Sequence, residues 1–160
     1  MPSKMRNCLK LCLAACVVMA LSLMSLPAQA ASCGFTAIAG LSFGSYDVFG
    51  PNADTAGSIS YSCSGVLPGD VVRIDLSIGG APSYFPRQMQ SGVHRLNYNI
   101  YLDASRTVVW GDGSGGSSTY GPLIPADGAA TTVNSYGRIP AGQDAYVGTY
   151  TDTIIVTMTY

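Results

Sequence analysis

The sequence of 160 residues contains no glutamate, and its only two lysines, Lys4 and Lys10, fall in the first ten positions. A domain without either residue lacks the side chains that best support exposed helix. Beyond residue 30 the charged set is five arginines against nine aspartates. This mildly negative balance offers no basic surface for nucleic acid or anionic lipid. There is one histidine, His94, so any chemistry needing an imidazole must use that residue. Threonine, tyrosine, valine, glycine and serine fill the space instead, which is strand-and-turn chemistry.

The first thirty residues have a composition of their own. Lys4, Arg6 and Lys10 precede an apolar run from Leu11 to Leu26, and "PAQA" places small residues before a cleavage site after Ala30. This predicts a Sec signal peptide over 1–30 and a mature domain over 31–160. The run is short for a membrane core of ~30 Å, which argues against a permanent anchor. "LAAC" ending at Cys16 looks like a lipoprotein signal, but the residues after it stay apolar where a mature lipoprotein turns polar. The remaining chain of about 130 residues is enough for one domain with its own core.

Cysteine use fits export. Cys8, Cys12 and Cys16 lie in the leader, leaving Cys33 and Cys63 in the mature chain. Two cysteines in an exported protein read as one disulfide. Closing a loop of ~30 residues stabilises by about 3–4 kcal/mol on the chain-entropy account. A metal site built on these thiols and His94 would lack a fourth ligand.

Strand-like segments recur between turn signals. "LSFGSYDVF" precedes the loop-like "GPNADTAG", and "SISYSC" alternates around Ile59, Tyr61 and Cys63. In "VVRIDLSI", Val72, Ile74, Leu76 and Ile78 share one face. "GGAPSYFPRQMQSG" reads as a long irregular connection. "HRLNYNIYLD" alternates again through Leu96, Tyr98, Ile100 and Leu102, followed by "TVVW", "TTVNSYGRI" and the terminal "YTDTIIVTMTY". In that last segment Tyr150, Ile154, Val156, Met158 and Tyr160 share one side. Strands at this spacing without helical periodicity predict an all-β, antiparallel sandwich of immunoglobulin-like size.

Signals for chemistry are weak. "GDGSGG" fits Gly-x-Gly-x-x-Gly at Gly111, Gly113 and Gly116, but "SSTYGPLIP" cannot open the helix that a phosphate site requires. Gly113 also interrupts any likeness to a serine-protease "GDSGG". His94 has no accompanying nucleophile motif, and reads as a surface or strand-edge histidine. Asp47, Asp54, Asp70, Asp103, Asp112, Asp127 and Asp144 sit near predicted turns, where aspartate bonds nearby backbone N–H groups. Neither a calcium loop nor a glycosidase pair is indicated. No catalytic residue, cofactor or metal site is predicted, and the chain reads as a non-enzyme without a small-molecule substrate. Tyr84 and Phe85 in "SYFP" are a candidate contact pair, weighed against closing one end of the core.

"LSFGSYDVF", "ISYSCSG", the run from Leu96 to Gly116 and the segment from Tyr136 to Tyr160 together resemble the spore coat protein U domain family, which includes pilins of archaic chaperone–usher pili. The resemblance covers nearly all of the mature chain. It implies a sandwich lacking its final strand, with a hydrophobic groove beside the C-terminal strand. A periplasmic chaperone, then a strand from a neighbouring pilin, would fill that groove, with assembly at an outer-membrane usher. Ile154, Val156, Met158 and Tyr160 would form the acceptor wall. The protein would pass through the periplasm to the cell surface and support attachment and biofilm formation.

The expected N-terminus departs from the family pattern. Cleavage after Ala30 leaves Ala31 and Ser32 before Cys33, too short for a donor strand, so the resemblance implies a subunit that accepts a strand without giving one, as at a pilus tip. The alternative is a self-complete extracellular or spore-coat-type binding module, in which "CGFTAIAGLSF" folds back beside the terminal strand.

Overall fold

A computed structural model describes residues 30–160, so the expected signal peptide lies outside the described residues. The described chain is all-β. Its strands in order are β1 (Ser32–Ala39), β2 (Ala53–Ser64), β3 (Val72–Leu76), β4 (Arg87–Ser91), β5 (His94–Tyr101), β6 (Tyr120–Leu123), β7 (Ala130–Ile139) and β8 (Val156–Thr159). They form a five-stranded sheet, β1-β2-β7-β5-β4, facing a three-stranded sheet, β6-β3-β8, and every pairing between strands is antiparallel. The sandwich expected from the alternating segments is the observed architecture.

The cleanest alternations became the central strands. Val72, Ile74 and Leu76 of β3 and Leu96, Tyr98 and Ile100 of β5 point into the core, together with Ile59, Tyr61, Val133 and Ile139. Trp110 is fully buried among them, and its indole N–H donates to the Ile74 carbonyl at 2.9 Å. Cys33 and Cys63 face each other across the β1–β2 ladder and form the expected disulfide.

Four segments differ from the sequence reading. "LSFGSYDVF" carries no ladder: Leu41 and Phe43 do pack inward, against Gly137, but Gly44 takes a φ of 69° and ends the extended run. "ADTAG", expected in a loop, opens β2, because Asp54 lies opposite Arg138 and the two form an ion pair across the strands. β4 lies inside the supposed irregular connection; its inward residues are Met89 and a charged one, Arg87, so no apolar alternation marks it. β6 is an edge strand containing Pro122, tolerated there because one edge needs no ladder donor.

The terminal strand is also shorter than its alternation suggests. Thr151 exchanges two backbone hydrogen bonds with Gln90, at 2.8 and 3.0 Å, so this part of the chain lies on the β4 edge of the larger sheet. Five residues later Val156 pairs with Leu76 in the smaller sheet. The chain switches sheets between these points, and the ladder is interrupted at the corner.

Candidate functional site

The two sheets meet on one side along edges that have no partner among the described residues. β1 pairs only with β2, and β8 pairs only with β3. β1 therefore does not fold back beside β8. Between these two edges lies an apolar cleft of about 330 Å³. Ile38 and Ala39 of β1, with Gly40, Leu41 and Phe43 after it, line one side; Tyr150, Ile154 and Val156 line the other. Its floor is the core itself, through Ile59, Leu76, Met89, Tyr98 and Ile100. A second hollow of about 730 Å³ shares Leu41, Phe43, Met89 and Tyr150 and extends the cleft beneath the 145–150 segment.

The geometry of each edge follows from its local sequence. In β1, Phe35 opposes Tyr61 but Ala37 opposes Ser60, so Thr36 is an extra residue in a β-bulge. The bulge shifts the phase by one position and turns Ile38 rather than Ala37 toward the core, opposite Ile59. In β8, the Ile155 carbonyl accepts the Ser77 N–H at 3.0 Å, and the Ile155 N–H donates to Ser77 Oγ at 2.9 Å. Ile155 thus directs its backbone toward β3. Because backbone direction alternates along a strand, the N–H and C=O groups of Val156 and Met158 point into the open edge. The cleft therefore presents a floor for alternate side chains and a row of backbone groups for a ladder.

The expected wall residues are not equivalent. Ile154 and Val156 line the cleft, and with Met158 they pack half-buried on the core. Tyr160 is 57% exposed and stands outside that packing. Sequence reasoning missed the opposite wall, Ile38 to Phe43, and the floor positions Met89 and Tyr98. The pairing of β1 with β2 identifies the wall, and the β4–β5 pairing places Met89 and Tyr98 beneath it.

One acid sits in this apolar setting. Asp152 Oδ2 accepts the Tyr98 hydroxyl at 2.7 Å, and its Oδ1 accepts the N–H groups of Gly80 at 2.9 Å and Thr153 at 2.8 Å. Burial, and then the bond to this carboxylate, hold the Tyr98 phenol well above its ordinary range, so it stays a donor.

The candidate contact pair separates. Tyr84 is 5% exposed and its hydroxyl donates to the Leu76 carbonyl, so it closes the core and is not available as a surface residue. Phe85 is 52% exposed. His94 starts β5 at the surface and stacks on Tyr146 at 4.4 Å between ring centroids. Gly113, Gly115 and Gly116 all take positive φ, which suits the "GDGSGG" segment to a tight loop. Asp47, Asp70, Asp103, Asp112 and Asp127 each accept a backbone N–H in or beside a turn. Among the described residues no three metal-ligating side chains come together.

Comparison with known proteins agrees with the fold. A protein of Myxococcus xanthus, "Protein U", is 30% identical over 132 residues, covering 75% of this chain and 71% of its own. A solved chaperone–tip adhesion subunit pre-assembly complex from the archaic chaperone–usher Csu pili of Acinetobacter baumannii superposes with a TM-score of 0.57 at 20% identity. That match covers 82% of this chain, which spans only 40% of the solved one. The family description Spore Coat Protein U domain matches residues 18–157, and the chain belongs to that family.

Proposed function

We propose that this protein is a pilin-like subunit of an archaic chaperone–usher pilus that works by accepting a strand into the cleft between β1 and β8. The observation that carries the reading is the pair of edges, unpaired among the described residues, that flank an open core. An unfilled edge beside exposed apolar floor is an aggregation hazard, and a partner strand removes it. The Csu complex, which pairs a subunit of this fold with a chaperone, supports the same reading. A periplasmic chaperone would cover β8 during transit, an outer-membrane usher would export the subunit, and a neighbouring pilin would supply the permanent strand. Ile154, Val156 and Met158, with Tyr160 at the rim, would be the acceptor wall. Export would follow the Sec route, ending at the cell surface in attachment and biofilm formation. Cleavage after Ala30 would start the mature chain almost at β1, which supports placement at the tip.

A second reading, a coat-type module that needs no partner strand, draws on the family description Spore Coat Protein U domain, although β1 pairs only with β2 and leaves the cleft open. Thermal unfolding of the disulfide-bonded chain 31–160, with and without a peptide copying a family shaft pilin's donor segment, separates the two. At a hundredfold excess over Kd a specific strand should add about 2.7 kcal/mol of stability. A stable domain indifferent to the peptide would overturn the acceptor reading. Mass spectrometry of the exported protein tests the tip placement: a start well before Ala31 would remove it.

A further inference from the structure

We propose that Asp152 is a positioning residue that latches the acceptor edge, holding β8 open and extended while it has no partner. This rests on the strand-acceptor reading above.

An edge strand with one neighbour and a half-empty face gains little from packing. β8 has four residues in its ladder, and its inward side chains Val156 and Met158 are only half-buried. Something must fix where it begins. The chain reaches it from the opposite sheet, leaving Thr151 on β4 and arriving at Val156 on β3. Asp152 is the first residue of that crossing, and its carboxylate is bound from three directions: the β5 floor through Tyr98, the β3–β4 connection through Gly80, and its own corner through Thr153.

The surroundings are shaped for this contact. A Cβ at Gly79 would collide with the Asp152 carboxylate, and one at Gly80 would meet the Gln90 amide at 2.6 Å. Gly79 also has a φ of 69°, which a side chain rarely adopts. Two glycines in succession thus allow the backbone to approach the acid. Tyr98 is almost wholly buried, so its hydroxyl would lose its partner without Asp152. A carboxylate holding a buried hydroxyl and two backbone amides is a polar lock in a mostly apolar cleft. Its place at the sheet-switching corner couples the floor of the cleft to the start of its wall.

The test compares Asp152→Ala and Tyr98→Phe with the parent chain 31–160, using amide hydrogen exchange in the free protein and titration with the donor-segment peptide. Asp54→Ala, which loosens the far side of the larger sheet, serves as the control for general destabilisation. In Asp152→Ala, which removes all three bonds, the amides of Thr157 and Thr159 should exchange about tenfold faster or more, while those of β2 and β7 keep their rates. Peptide affinity should fall in parallel. Tyr98→Phe removes one of the three bonds and should show a smaller change confined to the same amides, which keeps the test open where Asp152→Ala does not fold. Uniform acceleration in every strand, β2 and β7 included, or unchanged exchange in β8 would overturn the latch. Failure of the parent chain to bind peptide would overturn the acceptor reading instead, and exchange in β8 would still decide the latch.

Discussion

Ile38 and Ile59 face each other across the β1–β2 ladder on the same side of the sheet, yet Ile59 is 4% exposed and Ile38 is 53% exposed. The difference is positional. Ile59 sits under the core, whereas Ile38 overhangs the cleft on an edge with no neighbour. Truncating the two should therefore have opposite signatures. Ile59→Ala should cost about 2–5 kcal/mol of folding stability, as a buried cavity does. Ile38→Ala should cost about 1 kcal/mol or less, because half of its surface is already in water. Ile38→Ala should nevertheless weaken capture of a strand peptide, which would bury the remainder. Denaturant titration and peptide binding of the two variants check both halves, and equal stability losses would contradict the open edge.

Arg87 makes a separate prediction about the core. It is fully buried and forms no ion pair, and burial lowers its pKa from the ordinary guanidinium value, with the more distant charges of Asp152 and Asp112 opposing this. Its N–H groups instead donate to the carbonyls of Ser77 and Trp110 and to Asn99 Oδ1, and its guanidinium lies 4.8 Å from the centre of the Tyr84 ring. Arg87→Leu would orphan the Ser77 and Trp110 carbonyls at about 1–3 kcal/mol each, while Asn99 Oδ1 keeps the Ile100 N–H, so a loss of about 2 kcal/mol or more is expected. Arg87→Lys should recover only part of it, because an ammonium cannot reproduce the planar fork. Chemical denaturation of both variants measures this.

The same residue explains what the sequence did and did not reveal. β3 and β5 were legible because every second side chain points into the core and is apolar, although Asp75 and Asn99 between them are buried too. β4 was not, because the position that should read apolar holds Arg87, and satisfaction by distant carbonyls leaves no local mark. In "LSFGSYDVF" the strand reading did not hold: Leu41 and Phe43 pack inward but their backbone has no ladder, since apolar patterning reports side-chain direction and not ladder partners. The terminal alternation puts Ile154, Val156 and Met158 on one side, and of these Ile154 and Val156 line the cleft. The other wall needed the bulge at Thr36, and the latch needed Asp152 to meet Gly80, a contact between residues 72 positions apart. Neither has a signature in local pattern.

The disulfide offers a third prediction. Cys33 and Cys63 are 30 residues apart and join the edge strand β1 to its single neighbour. Replacing both with serine should destabilise the fold by about 3–4 kcal/mol through the freed unfolded chain. The loss should be accompanied by early exchange of β1 amides, because β1 has no second ladder to hold it. Denaturation of the oxidised protein against the double variant measures the first, and hydrogen exchange the second.

The pH dependence of stability follows from three aspartates held below their ordinary value of 3.8. For Asp54 the leading cause is the hydrogen bond from Arg138, with the charge of Arg106 adding to it. For Asp103 it is the Ser105 hydroxyl, followed by the Val108 N–H; for Asp112 it is the hydroxyl and then the N–H of Ser114. A carboxylate depressed in the folded state contributes stability that is fully present above its unfolded pKa and is lost as pH falls through the folded one. The protein should thus hold a flat stability from neutral pH down to about 4.5 and lose it progressively below. Asp103→Asn removes one titrating group and also weakens the turn at Ser105–Val108, so it should be less stable at pH 6. The gap between variant and parent should then narrow toward pH 2.5, because the unfolded parent takes up a proton there that the folded Asp103 carboxylate resists. Urea midpoints at the two pH values decide this. A gap that widens in acid would show that the Asp103 turn does not hold its carboxylate in the charged form.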